Sequence, residues 1–297
     1  MHILFLSQLL PYPPDAGPKV KTWQVLRYLA RQGHAVTLVC FSRPGDEQHL
    51  PAVRQVCARV YPVPIRRSRA ADGVYWLRSQ VSGRPFLVER DDLPEMRKTI
   101  ASLLQNEQFD AVHADQLPMA QFALAVLEGR MAGAGQRPLL VFDAHNAVWT
   151  IMDRMCLNSS FLFKGPIALE ARRVKRYEGA LVRRFDRTLA VTEPDRKALL
   201  EAAALDSRSS LASEKITVIP IAVDTDQLSP IVRSPRSVNL LTLGTLHYPP
   251  NADGIRWFAR DIFPLIRQAK PEAALTIIGK NPPADFHQLA SRSGGAV

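Results

Sequence analysis

The chain has 297 residues, more than one hydrophobic core usually organises, so its length predicts two domains. Hydrophobic residues make up 46% of it and charged residues 22%, which excludes a disordered protein and favours a packed globular one. The formal net charge of +10 favours anionic partners, but does not by itself distinguish a phosphorylated ligand from a lipid surface or a nucleic acid.

Cysteine usage and the N-terminus indicate the compartment. The three cysteines (Cys40, Cys57 and Cys156) are too few and too far apart for a disulfide framework or a structural zinc site. The N-terminal apolar run ends at Ser7 with no preceding basic residue, unlike a secretory signal peptide. No apolar run is long enough to cross a bilayer. We therefore expect a metal-free cytoplasmic protein whose only membrane contact would be peripheral, at the inner face.

The first forty residues predict one βαβ unit. A continuous apolar run at residues 3–6 is followed by a loop rich in Pro and Gly, then by apolar residues at helical spacing, and finally by a second apolar run at 36–40. Gly33 stands where a helix would end. Both runs lack polar alternation, as expected for parallel strands covered on both faces.

The same pattern of short apolar runs separated by helix-like segments continues along the chain, and it predicts an α/β fold with a doubly wound parallel sheet. No fixed-period repeat interrupts it. The further predicted strands of this first domain, which we expect to span residues 1–221, lie at 59–63, 110–113, 139–142, 188–191 and 216–219.

A second domain is predicted after a linker at residues 222–237, which is rich in Asp, Ser and Pro and has little periodicity. Residues 238–297 then carry two strand-like runs, each ending in Gly, and one clear helical segment at 255–266. So few elements cannot cover both faces of a parallel sheet. The expectation is an incomplete second domain in a fragment of a longer reading frame.

Two loops of the first domain could carry chemistry. The loop at 11–19 precedes the first helix, where an anion can meet backbone amides, but Pro18 removes one amide donor; a rigid turn is an equally good interpretation. The run 143–146, Asp-Ala-His-Asn, follows a strand and places His145 where open sheets bind ligands. A histidine there can exchange a proton with a substrate hydroxyl. A structural histidine is the alternative, which we prefer for His113. No Ser or Cys elbow supports a hydrolase.

Residues 164–187 are the most basic part of the chain, with eight basic and three acidic side chains. On a helix they could bind anionic lipid headgroups, although a solvated helix face is the preferred interpretation. Nucleic acid is a weaker interpretation, because neither zinc-finger spacing nor a basic zipper is present. In the second domain, two strand–helix loops contain small residues that would let a phosphate approach the backbone: Gly244, Thr245 and Asn251 in one, Gly279 and Lys280 in the other.

Taken together, five segments resemble glycosyltransferase family 4, and within it the exopolysaccharide and exosortase-associated sugar transferases of bacteria. The resemblance covers nearly the whole chain in the family's element order. The segments are residues 9–17, 143–146, 190–195, 218–224 and 244–251.

The resemblance implies a GT-B architecture of two Rossmann-like domains, the second incomplete here. It implies a metal-independent, cofactor-free hexosyltransferase that retains the anomeric configuration, moving sugar from a nucleotide sugar to a glycan or lipid-linked acceptor, with no nucleic acid partner. His145 would contact the donor sugar, with Asp15 and Asn146 on the acceptor side. The donor diphosphate and sugar would be bound by Gly17, Lys19, Gly244, Thr245, Asn251, Gly279 and Lys280.

Three departures from the family pattern stand out. The family's Asn-Gly-Val-Asp is Ile-Ala-Val-Asp at 221–224, only Gly17 represents a frequent pair of glycines, and the paired glutamates of the second domain have no counterpart. The sequence thus favours an enzyme of polysaccharide biosynthesis, present here as an inactive fragment. A non-catalytic binding module and a GT-B nucleotide-sugar epimerase are the alternatives.

Overall fold

The computed structural model divides the chain into two compact units, Met1–Thr225 and Asp226–Val297. The division falls inside the segment predicted as a linker, of which residues 226 and 227 lie outside the described part. The structure describes residues 1–130, 137–157, 159–204, 215–225, 228–292 and 294–297.

The first unit is built on a parallel sheet, as predicted. Within the described residues it has seven strands in the order β3-β2-β1-β4-β5-β6-β7, and every neighbouring pair is parallel. The strands are β1 (His2–Ser7), β2 (Ala35–Ser42), β3 (Arg59–Pro64), β4 (Ala111–Asp115), β5 (Leu139–Asp143), β6 (Arg187–Ala190) and β7 (Ile216–Val218).

Helices connect these strands. Proline at the first turn starts several of them, because its fixed φ suits the helix and its missing amide is not needed there. They are α1 (Gly17–Arg31), α2 (Leu50–Arg54), α3 (Arg69–Ser82), α4 (Phe86–Asp91), α5 (Pro94–Asn106), α6 (Ala120–Arg130), α7 (Val148–Leu157), α8 (Phe161–Arg184) and α9 (Glu193–Ala203), with 3-10 turns at Asp46–His49 and Leu117–Met119.

Both faces of the sheet are covered, which explains the continuous apolar strands. Successive side chains of a strand point to opposite faces. Leu4 and Leu6 of β1 therefore pack into one core cluster, whereas Phe5 between them packs into another with Trp23 and Leu26 of α1. In the part of the chain that the structure describes, no helix is long and apolar enough to cross a membrane.

The second unit contains a two-stranded parallel sheet with its own small clusters of buried apolar residues. The predicted helix at 255–266 corresponds to two α-helices joined by a π-helical turn. The elements are β8 (Asn239–Leu243), α10 (Pro249–Trp257), the π-helical turn Phe258–Ile262, α11 (Phe263–Ala269), β9 (Ala274–Ile278) and α12 (Ala284–Arg292).

Candidate functional site

Three neighbouring strands of the first unit end in polar residues that lie side by side. Ser7 of β1 is in register with Asp115 of β4, and Asp115 with Asp143 of β5. All three are almost completely buried. The carboxyl edge of a parallel sheet is where open α/β folds bind ligands, so this row defines the candidate site.

Asp115 is the centre of a buried hydrogen-bond network. Its Oδ2 accepts hydrogen bonds from the hydroxyls of Ser7, at 3.0 Å, and of Thr22 in α1, at 2.8 Å. Its Oδ1 lies 2.7 Å from Nε2 of His145. The geometry requires the hydrogen of the imidazole on Nε2, because an ionised carboxylate only accepts. Asp115 therefore orients the ring of His145.

Asp143 forms a buried ion pair with Lys21, whose ammonium group donates a hydrogen bond to its Oδ1. Nε2 of His113 faces the other carboxylate oxygen at 3.5 Å, while the His113 ring stacks on Phe5. Burial alone would raise the pKa of Asp143, but the neighbouring His113 and the charge of Lys21 hold it well below its usual range. Asp143 is therefore an anion at any physiological pH.

His145 lies in a strained turn. Its φ of 54° falls in the left-handed region, and the amide of Asn146 bonds back to the carbonyl of Ala144 at 2.5 Å, closing a γ-turn. Such conformations are uncommon outside glycine and cluster at functional sites. Only 7% of the His145 surface is exposed, whereas Asn146 is exposed. The turn thus presents a largely buried imidazole whose ring is fixed by Asp115.

Two carboxylates from later helices fix the segment that follows this turn. Asp195 of α9 accepts from the amide of Ala147 at 3.0 Å, and Glu178 of α8 accepts from Val148 at 2.7 Å and Trp149 at 3.0 Å. Glu178 thereby caps α7 from a distance. Burial raises the pKa of Glu178 to about 7, although the two amide hydrogen bonds oppose the shift.

The cluster could offer ligand atoms to a cation. One atom each of His113, Asp115 and Asp143 lies within 4.8 Å of the others. The ammonium of Lys21 already supplies a positive charge at Asp143, and hydroxyl and imidazole donors bind Asp115. The expectation of a metal-independent site stays a prediction.

The predicted anion loop leads into α1 and lies on the surface. Gly17 is the first residue of the helix, and a Cβ added to it would meet no atom within 4 Å, so packing does not require glycine there. Lys19 pairs with Asp15 at 3.3 Å. The helix has no side-chain cap and no acidic residue in its first turn, which leaves this end attractive to an anion.

The five residues predicted in the second unit come together at the ends of β8 and β9. The amide of Gly244 bonds to Ile278 at 3.0 Å, and Nδ2 of Asn251 approaches the carbonyl of Thr245 at 3.5 Å. A Cβ on Gly279, which precedes Lys280, would lie 2.0 Å from the carbonyl oxygen of Gly244. Close packing between the two loops therefore accounts for Gly279 without a ligand.

The basic segment at 164–187 is largely within α8, and many of its cations bind the first unit rather than forming a free cationic face. Arg172 and Arg176 are exposed. Five others have partners: Arg173 with Ser79 and Glu170, Lys175 with Glu201 and the Trp149 ring, Arg183 with the Ala203 carbonyl, Arg184 with Glu128, and Arg187 with the Asp186 carbonyl.

Sequence reasoning did not single out four members of the network: Ser7, Lys21, Thr22 and Asp115. A signal existed for Asp115, which ends β4 as Asp143 ends β5. Thr22 lies four residues before the buried Leu26, on the apolar face of α1. A polar residue at an apolar helical position indicates a buried partner, but the partner is visible only in the fold.

The fold places the protein in a structural class. The chain superposes over 99% of its length on 72% of the catalytic domain of starch synthase IV from Arabidopsis thaliana bound to ADP and acarbose, with 12% identity and a TM-score of 0.58. It matches UDP-GlcNAc 2-epimerase from Neisseria meningitidis bound to UDP-GlcNAc over 100% of the chain and 71% of that structure, with 13% identity and a TM-score of 0.50. The architecture is that of the GT-B class, with Rossmann-like α/β units.

The family follows from the sequence match. The model of Glycosyltransferase Family 4 matches residues 17–227, and the chain belongs to this family. A relative from Klebsiella pneumoniae, described as an uncharacterised 44.6 kDa protein in the cps region, is 22% identical over 284 residues, covering 93% of the chain. The chain spans 64% of the length of that relative.

Proposed function

We propose that the protein is a retaining hexosyltransferase that moves sugar from a nucleotide sugar to a glycan or lipid-linked acceptor in polysaccharide biosynthesis. The observation that carries this proposal is the buried Asp115–His145 pair beside the Lys21–Asp143 pair, at the carboxyl edge of the sheet. Four polar side chains held together in one buried cluster suit a site that stabilises developing charge. All of them lie within the part of the chain that matches the family.

His145 is assigned to the sugar. With Nε2 occupied by Asp115, Nδ1 is the ring atom left to accept a hydrogen bond from a sugar hydroxyl. The carboxylate behind the ring also makes the imidazole a better acceptor. The γ-turn holds the ring in place, so less orientation entropy is lost when substrate binds. His145 therefore positions the donor sugar.

Departure of the nucleoside diphosphate is assigned to electrostatics rather than to a metal. Negative charge develops on the diphosphate as its bond to the anomeric carbon breaks. The uncapped N-terminus of α1, with Gly17 and Lys19, offers amides and a cation for such charge. In the second unit, the loops at 244–251 and 279–280 are assigned to the nucleotide sugar. Asp15 and Asn146, both exposed, are assigned to the acceptor.

Two further findings support the proposal, one for the role in polysaccharide biosynthesis and one for the donor. The Klebsiella relative is described by its place in a cps region. The two solved structures were determined with ADP and with UDP-GlcNAc, which favours a nucleotide sugar as donor here. We place the reaction in the cytoplasm, since all three cysteines are free thiols.

The test is a substitution at His145 in the gene of the native host. His145→Ala should lower nucleoside diphosphate release from the correct nucleotide sugar about 10- to 100-fold, the worth of one hydrogen bond in a preorganised site. His287→Ala, which removes an exposed histidine of α12, is the matched control and should leave release unchanged. NMR of the product should show the anomeric configuration of the donor.

Other results would reject the proposal. Equal turnover by His145→Ala and the unsubstituted protein would show that His145 has no role in the reaction. Binding of sugars without diphosphate release from any nucleotide sugar would indicate a binding module. Conversion of the donor without an acceptor would indicate an epimerase, the activity named for the Neisseria structure.

A further inference from the structure

A cavity lies on the other side of β1 from the His145 network. Where Ser7 faces β4 and β5, the next residue, Gln8, borders a cavity of about 310 Å³ at the ends of β1, β2 and β3. The cavity is lined by Gln8, Leu9, Phe41, Arg43, Ile65, Arg67 and Arg90.

Three guanidinium groups give this cavity its character. The buried carboxylate of Asp91 balances part of their charge: it pairs with Arg67, lies 3.6 Å from Nε of Arg90 and accepts a hydrogen bond from Gln8 at 2.7 Å. Arg43 is exposed, and its guanidinium makes no hydrogen bond or ion pair within the described residues, whereas Nε of Arg90 is buried without a hydrogen bond. Three cations thus face one buried anion.

We propose that this cavity binds the phosphate or diphosphate of the acceptor substrate. The proposal rests on the proposed function, because it assumes an acceptor that carries phosphate, as a lipid-linked sugar does. Arginine forks match the geometry of phosphate oxygens, and a cavity holds such an anion away from bulk water. Ser7 and Gln8 are consecutive, so an anion held here leaves the attached sugar within reach of His145.

The test measures the binding of inorganic pyrophosphate by calorimetry. Arg43→Gln should weaken binding about tenfold, the worth of one charge-assisted hydrogen bond. Because the Arg43 side chain is exposed and has no partner among the described residues, its loss should not disturb folding. Arg54→Gln is the matched control, since Arg54 is an exposed arginine of α2 away from the cavity, and it should bind as the unsubstituted chain does. Both variants are made in a Lys280→Gln background to remove the phosphate contact proposed for the second unit.

Each other outcome overturns the assignment. Equal affinities of Arg43→Gln and Arg54→Gln would show that the cavity does not hold the anion. If UDP or ADP displaced the pyrophosphate whose binding depends on Arg43 while a lipid-linked sugar diphosphate did not, that result would show that the cavity binds the donor instead of the acceptor. Neither result depends on turnover, so failure here is distinct from failure of the proposed function.

Discussion

Lys21→Met should lower the free energy of unfolding of the first unit by about 3–5 kcal/mol, because it leaves the carboxylate of Asp143 buried without its ammonium partner. Lys21 and Asp143 have side chains only 3% and 1% exposed, so water cannot replace the lost contact. Methionine has nearly the length of lysine, which keeps the packing of α1 against the sheet. Urea unfolding followed by circular dichroism measures the change.

Two companion variants make this prediction specific. Lys19→Met removes the neighbouring, more exposed ion pair with Asp15 and should cost no more than about 1 kcal/mol. Adding Asp143→Leu to Lys21→Met should recover much of the loss, because a buried pair replaced by apolar residues is often close to neutral. If Lys21→Met lowered the free energy of unfolding as little as Lys19→Met does, the predicted stabilisation by the buried Lys21–Asp143 pair would be contradicted.

Glu178→Gln should change how stability depends on pH. The pKa of Glu178 is about 7 in the folded chain, above the ordinary glutamate value of 4.5. Between these values the folded state keeps a proton that the unfolded state has released. The contribution of Glu178 is therefore complete below about pH 4.5 and lost as pH rises through 7, by about 3 kcal/mol. Glutamine carries no titrating proton, so this dependence should disappear.

The measurement is the free energy of unfolding at pH 5 and pH 7.5 for both proteins. The unsubstituted chain should lose more stability over this interval than Glu178→Gln does. Comparing the two cancels carboxylates such as Asp143, whose lowered pKa acts in the opposite sense below about pH 4. Glu201→Gln, at an exposed salt bridge with Lys175, should instead show the same change in unfolding free energy with pH as the unsubstituted chain. If Glu178→Gln lost as much unfolding free energy between pH 5 and pH 7.5 as the unsubstituted chain, the raised pKa of Glu178 would be refuted.

The fold was predictable from sequence because its signals are local. Residues 3–6 and 36–40 are continuous apolar runs, which only a sheet covered on both faces allows, and Gly33, with a φ of 76°, ends α1 as expected. The predicted strand bounds therefore agree with the structure to within two residues. Element order then follows from the alternation of strands and helices.

The site was predictable only in part, because its contacts are not local. A residue's place at a strand end can be inferred from its neighbours, which is how the sequence singled out His145 as a candidate. The partners of that loop lie far away along the chain: Lys21 is 122 residues from Asp143, and Asp115 is 30 from His145. The positive φ of His145 cannot be predicted from the sequence either, because non-glycine residues adopt it only when the surrounding structure enforces it.

The common register of β1, β4 and β5 makes the site inseparable from pairing of the strands. A slip of one residue between β1 and β4 would turn Asp115 to the opposite side of the sheet. The hydroxyls of Ser7 and Thr22 would then lose their acceptor. During synthesis, β1 emerges well before β5, so these carboxylates meet water until the late strands arrive. Substitutions in this row should therefore reduce the amount of protein in cells, since chaperones and proteases act on chains that assemble slowly.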